Sequence, residues 1–146
     1  MRVVVGSDHA GYNLKEHLKS LLASWGHEVV DVGTNTVEPV DYPEFGAAVG
    51  KKVVELGDAR GVAVCGSGIG ISMAANKVPG VRAALVSEPT AARLSREHND
   101  ANVICFGERL IGRAVAEEAL KTFLATPFAG GRHQKRVALL DALPRE

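Results

Sequence analysis

The sequence predicts a Rossmann-like α/β fold: a three-layer αβα sandwich around a five-stranded parallel sheet, followed by a C-terminal helical tail. Three observations carry this expectation. Short β-branched-rich runs alternate with longer amphipathic segments, which is the pattern of βαβ units and a parallel sheet. The short runs are apolar almost without a break, as strands covered on both faces are. The chain has 146 residues, one domain's worth, and a chain of that length buries on the order of 70% of its unfolded surface without disulfides or metal.

The strands expected in order are Val3–Val5, Val29–Val32, Val62–Cys65, Ala83–Val86 and Val103–Phe106. Between the first two, Leu14, Leu18, Leu21, Leu22 and Trp25 recur at helical spacing, and Gly26 supplies a stop. Phe45, Val49, Val53 and Leu56 form a second stripe, opened by Asp41-Tyr42-Pro43-Glu44 as a cap with Glu at the third helical position and closed by Gly57. A further helix follows the glycines after strand 3, and another ends in His98-Asn99-Asp100. Ile111, Val115, Ala119 and Phe123 mark the next stripe, which stops before Pro127. Right-handed crossovers place these helices on both faces of the sheet. Residues 1–146 read as a single domain. Ala129-Gly130-Gly131 breaks the chain before a tail, residues 129–146, whose apolar Val137, Leu140 and Leu143 must dock on the body or on a second subunit.

Composition narrows the function. Hydrophobic content of 46% with 23% charged residues is globular and excludes intrinsic disorder. Seventeen Lys and Arg against seventeen Asp and Glu give zero net charge, which removes the usual electrostatic case for nucleic acid. Two cysteines, Cys65 and Cys105, fit a reducing compartment better than a disulfide framework. The amino terminus is interrupted by Asp8 too soon for a signal peptide, and no apolar run approaches membrane-spanning length. The expectation is a cytoplasmic protein with no membrane or nucleic-acid partner.

In an open parallel sheet, ligands bind beyond the carboxyl ends of the strands. That rule selects Gly6-Ser7-Asp8-His9-Ala10-Gly11, Cys65-Gly66-Ser67-Gly68-Ile69-Gly70, Ser87-Glu88 and Gly107-Glu108-Arg109, with the polar His98-Asn99-Asp100 as a further candidate. In the Gly66–Gly70 loop, three alternate glycines let backbone N–H groups converge on an anion while the next helix adds its positive end. The loop lacks the third glycine of a dinucleotide fingerprint, the Lys-Ser/Thr of a Walker loop and the arginine of a cysteine phosphatase, all of which would fall at or near Ile71. It is an anion cradle of another kind, or a tight turn with no ligand.

Cys65 borders that cradle. It is either a small buried hydrophobe, as Cys105 reads, or a thiol whose ionisation the surrounding donors favour, able to act as base or nucleophile. Asp8 and His9 are either a cap and a solvated side chain or part of the same site. No HxxxH or CxxC occurs, so a metal site is not expected. Arg132 and Arg136, four apart, share one helix face. They are either a solvated surface or two forks suited to a phosphate monoester, docked over a ligand in the cradle.

Taken in order, Gly6-Ser7-Asp8-His9-Ala10-Gly11, Cys65-Gly66-Ser67-Gly68-Ile69-Gly70, Ala74-Ala75-Asn76-Lys77, Arg82-Ala83-Ala84, His98-Asn99-Asp100-Ala101-Asn102 and the Arg132/Arg136 pair closely resemble the type B ribose-5-phosphate isomerases, a family that includes galactose- and allose-6-phosphate isomerases. The resemblance runs from Val3 to Arg136. It implies a cofactor-free aldose–ketose isomerase, dimeric or a dimer of dimers, with its site shared between subunits. It also implies Cys65 as the base between C2 and C1. The family alternative, a glutamate just past the glycines, is absent because Ile71 stands there. Ser67 and the amides of Gly66, Gly68, Ile69 and Gly70 would stabilise an enediolate, Asp8 would move a proton between the substrate oxygens, and His98 would open the furanose ring. His9, Arg109, Arg132 and Arg136 would hold the phosphate, with His98, Asn99 and Arg109 coming from the second subunit, and Tyr42 would lie near the pocket. The alternatives are an isomerase of a six-carbon sugar phosphate and a non-catalytic sugar-phosphate-binding module.

Overall fold

A computed structural model describes residues 1–144. Five parallel strands, β1 (Arg2–Ser7), β2 (Glu28–Asp31), β3 (Arg60–Cys65), β4 (Ala83–Leu85) and β5 (Val103–Gly107), form one sheet in the order β2-β1-β3-β5-β4. The register sets Val5 beside Val62 and Ala63 beside Cys105. The helices are α1 (Tyr12–Ser24), α2 (Tyr42–Leu56), α3 (Ile69–Asn76), α4 (Pro89–Asn99), α5 (Arg113–Ala125) and α6 (Arg132–Asp141), and a 3₁₀ turn covers His9–Gly11.

Strand side chains alternate between faces, so two separate cores result. On one face Val3, Val5, Val62, Val64, Ile104 and Phe106 pack with Leu14, Leu18 and Leu22 of α1, Ala92 of α4 and Leu120 and Phe123 of α5. On the other, Val4, Ala63, Cys65 and Cys105 meet Val49 and Val53 of α2 and Ile71 and Ala75 of α3. Each fully buried Leu stabilises the fold by about 1.5–3 kcal/mol relative to an exposed one. The three layers match the expected sandwich.

Coverage on both faces holds for β1, β3 and β5 but not for the edges. Residues of β2 and β4 are half-buried, and Glu28 and Leu85 are exposed. Apolar runs alone do not distinguish a central strand from an edge one. Three local expectations also need correcting. Ile111 lies in the turn before α5 and Val115 is exposed, so α5 instead buries Ala116, Ala119, Leu120, Phe123 and Leu124. Asp41 precedes α2 but its side chain makes no cap hydrogen bond, and Pro43 in the first turn helps set the helix start. In the tail, Val137 is buried whereas Leu140 and Leu143 are exposed.

One buried charge ties α1 to the sheet edge. The Lys15 ammonium, wholly inaccessible, donates to both oxygens of Asp31 at 3.0 Å and to the Thr34 carbonyl at 2.6 Å. Burial pushes the Asp31 carboxyl up, but Lys19, the Gly33 amide and Lys15 outweigh it and hold Asp31 below the usual carboxylate range.

Candidate active site

The sheet order reverses direction at β1: the chain moves outward to β2, then returns across to β3. The carboxyl ends of β1 and β3 therefore open a crevice between two loops that leave in opposite directions. A cavity of about 510 Å³ occupies it, lined by Asp8, His9, Ala10, Tyr42, Cys65, Gly66, Ser67, Ile69, Gly70, Met73 and Arg109.

Cys65 is the last residue of β3, buried, with its Sγ accepting from the Gly68 amide at 3.2 Å. Gly68 adopts φ +77°, a left-handed conformation that turns the loop back onto its own cysteine. A Cβ there would fall 2.5 Å from Leu85 Cδ1 and 2.8 Å from the Phe106 carbonyl carbon, so the cradle fits only against a bare Cα. Ser67 Oγ accepts from the Ile69 amide at 3.2 Å. These bonds employ two amides at the start of α3, and the helix's partial positive charge faces the same space. Cys105 differs: burial, with Cys65 as a neighbour, pushes its thiol far up, so it stays a neutral core group.

Asp8 is buried at the mouth of β1, its Oδ1 accepting from the Gly11 amide at 3.0 Å. That leaves its other oxygen for the cavity it lines. The amide of Val40 donates to His9 Nδ1 at 3.1 Å, so neutral His9 carries its proton on Nε2. Tyr42 is exposed and packs so tightly on Gly70 that a Cβ there would fall 2.5 Å from the ring. The β5 loop is clamped to the cradle by Glu108 N–H to the Cys65 carbonyl at 2.9 Å and Arg109 N–H to the Gly66 carbonyl at 3.0 Å. Arg109 stands in the same chain's cavity as Cys65, its guanidinium above Gly66.

His98, Asn99, Arg132 and Arg136 do not join this cavity. Helix α4 leaves the carboxyl end of β4 and returns to the start of β5, so its last turn lies at the amino end of the sheet. Eleven helical residues put His98 and Asn99 roughly 16 Å from the carboxyl ends. The carboxyl-end rule thus misplaces this polar run: it lies at the opposite edge. Helix α6 packs on α4, with His133 stacked on His98 and Asp141 paired with Arg82 at 3.1 Å. Arg132 and Arg136 are exposed on α6, away from their own cradle. Within one chain they cover no ligand held there.

Of the cavity residues, Met73 escaped the sequence reading, and Ala10 entered it only as part of the loop after β1. Met73 is four residues beyond Ile69, so helical spacing alone puts it on the same face of α3. Among the described residues, no group of three His, Cys, Asp or Glu is placed to hold a metal ion. No described helix is long and apolar enough to cross a membrane.

The arrangement can hold a negative charge over backbone amides, with a thiol and a carboxylate beside it and an arginine at the rim. The chain is similar to known proteins along nearly its whole length. A family model described as Ribose/Galactose Isomerase matches residues 3–140. Ribose-5-phosphate isomerase B of Escherichia coli is 42% identical over 142 residues, covering 97% of this chain and 95% of that protein. The solved structure of ribose-5-phosphate isomerase B from Clostridium thermocellum aligns with a TM-score of 0.93 at 48% identity, covering 97% of this chain and 95% of that one. The enzyme from Mycoplasma genitalium, solved with bound ribulose 5-phosphate, aligns at 0.92 and 39% identity over 96% of this chain and 93% of its own.

Proposed function

The chain belongs to the Ribose/Galactose Isomerase family, and on that footing we propose that it interconverts ribose 5-phosphate and ribulose 5-phosphate without a cofactor. The observation that carries the chemistry is the Cys65 Sγ, held by the Gly68 amide at the mouth of a backbone-lined cavity that also contains Asp8.

In the open-chain aldose, the Cys65 thiolate removes the C2 proton. The C–H electron pair forms the C1–C2 double bond, and the carbonyl pair moves onto O1. The amides of the Gly66–Gly70 loop that are not bonded to Cys65 Sγ or Ser67 Oγ, with the Ser67 hydroxyl, are the donors for that developing oxyanion, and donors so placed are typically worth about 3–4 kcal/mol each. Asp8, with one oxygen held by Gly11 and the other free, passes the O2 proton to O1. The thiol then returns its proton to C1, leaving the ketose. The phosphate grip supplies binding energy that fixes C1 and C2 against the sulfur. His9, its Nε2 proton set by Val40, and Arg109 serve that end from this chain.

The remaining residues support a site built from two copies. His98, Asn99, Arg132 and Arg136 lie at the opposite edge of the sheet from Cys65, so a second copy has to present them to the first copy's cavity. Ile69 and Met73 at the cavity rim are exposed apolar side chains, which a second copy would cover. His98 of that copy would open the furanose, and the two arginines would close on the phosphate. This reading places the enzyme in cytoplasmic pentose phosphate metabolism, as two buried unpaired thiols favour.

The test is an isomerisation assay on ribose 5-phosphate with chelator present, alongside allose and galactose 6-phosphates. Turnover should persist with chelator and be highest on the pentose. Absence of turnover on all three, with binding retained, would favour a binding module instead.

A further inference from the structure

Outside the Cys65 cavity, two imidazoles lie face to face. The rings of His98 and His133 have centroids 4.4 Å apart and are inclined by 16°. They belong to different helices: His98 sits in the last turn of α4 and His133 in the first turn of α6. Ala129, just before α6, donates its N–H to the Glu97 carbonyl of α4 at 3.1 Å, and at the far end of α6 Asp141 pairs with Arg82, the residue before β4. Among the described residues, no hydrogen bond fixes the His98 ring, so the stack is what sets its plane.

Charge favours the contact. Partial burial, then repulsion from His98, Arg132 and Arg136, holds His133 below the ordinary histidine value against the pull of Glu97. A neutral ring can lie against its neighbour, whereas two imidazolium rings would repel.

We propose that His133 is a positioning residue, holding the His98 imidazole in the plane from which it opens the sugar ring. The proposal rests on the isomerase reading above and deepens it. In ring opening, the C1 hydroxyl gives up its proton, its electron pair becomes the carbonyl bond, and the C1–O4 bond breaks with its pair going to O4. His98 carries the released proton to O4. A ring left free to rotate makes that transfer poorly, while the later chemistry at C1 and C2 is untouched.

The substrate pair separates these steps. Ribose 5-phosphate is cyclic, but ribulose 5-phosphate is acyclic, because its C5 oxygen is esterified and cannot close a five-membered ring. His133→Ala should lower turnover of ribose 5-phosphate by about tenfold, a fraction of what a positioned proton carrier supplies. In a Cys65→Ala background, where nothing turns over, the same change should leave the affinity for ribulose 5-phosphate within about twofold. His133→Phe, which preserves a stacked ring, should restore turnover. Unchanged turnover in His133→Ala overturns the proposal. So does a parallel loss of ribulose 5-phosphate affinity, which would mean that α6 and its arginine grip have been disturbed, and so does failure of His133→Phe to rescue. If the unmodified protein neither isomerises nor binds these sugars, the isomerase reading itself is wrong.

Discussion

The Sγ of Cys65 and the amide of Gly68 are 3.2 Å apart, so one backbone donor of the glycine loop is aimed at the group proposed as the base. Since that sulfur is proposed to serve the transition state, Cys65→Ala should abolish turnover while substrate binding stays within about tenfold. Steady-state rates combined with calorimetric binding check this, and near-normal turnover would remove Cys65 from the mechanism.

Gly68→Ala should be damaging to both stability and activity. Its φ of +77° is strained for any residue with a Cβ, and that atom would press on Leu85 and the Phe106 backbone. A destabilisation of about 1–3 kcal/mol is expected from the strain alone. Chemical denaturation measures it, and a stability equal to the unmodified protein would show that the loop relaxes without cost.

Asp31 gives the fold an acid-sensitive joint. Its folded-state value is held below the ordinary one, so its contribution to stability is fully present above the unfolded-state value and is lost as pH falls through the depressed folded one. Asp31→Asn should flatten the acid limb of the stability profile. It also leaves the buried Lys15 ammonium with only the partly exposed Glu16 carboxylate as counter-ion, costing up to about 3 kcal/mol near neutral pH. Denaturation midpoints from acid to neutral pH test both, and an acid limb unchanged by the substitution would contradict the assignment.

A shared site makes a quantitative statement about mixtures. Cys65→Ala and His98→Ala should each be inactive alone. Refolded together in equal amounts, they should recover about a quarter of normal activity, because half the dimers are mixed and each mixed dimer has one intact site of two. No recovery, with mixed dimers demonstrated by tagged chains, would place His98 and Cys65 in the same copy's site.

Arg132→Ala or Arg136→Ala should act on the phosphate end alone. Loss of one bidentate partner is expected to cost about 1.5–3 kcal/mol in binding, seen chiefly as a raised KM for ribose 5-phosphate. An unchanged KM in both variants would return the pair to a solvated helix face.

Much of the molecule was legible before any coordinates. Strand–helix alternation gave the parallel sheet because the period of apolar residues switches between two and 3.6, and those periods follow from backbone geometry alone. The Cys65–Gly70 loop stood out because contiguous residues build it, so that spacing in sequence is spacing in space. Stripe details failed where burial depends on neighbours: Val115 and Leu140 are apolar yet exposed, while Lys15 is charged yet wholly buried. The neighbouring Glu16 pairs with Lys15, but the Asp31 carboxylate and the Thr34 carbonyl that also hold it lie outside α1, so its burial is not written locally.

The residues close along the chain were enough to specify the fold class and to set a glycine loop beside a thiol. Only the tertiary structure decided that Arg109 shares the Cys65 cavity while His98, Asn99, Arg132 and Arg136 lie at the far edge of the sheet. That division follows from chain direction. A helix leaving the carboxyl end of one strand must return to the amino end of the next, so residues at its two ends are held apart by its full length.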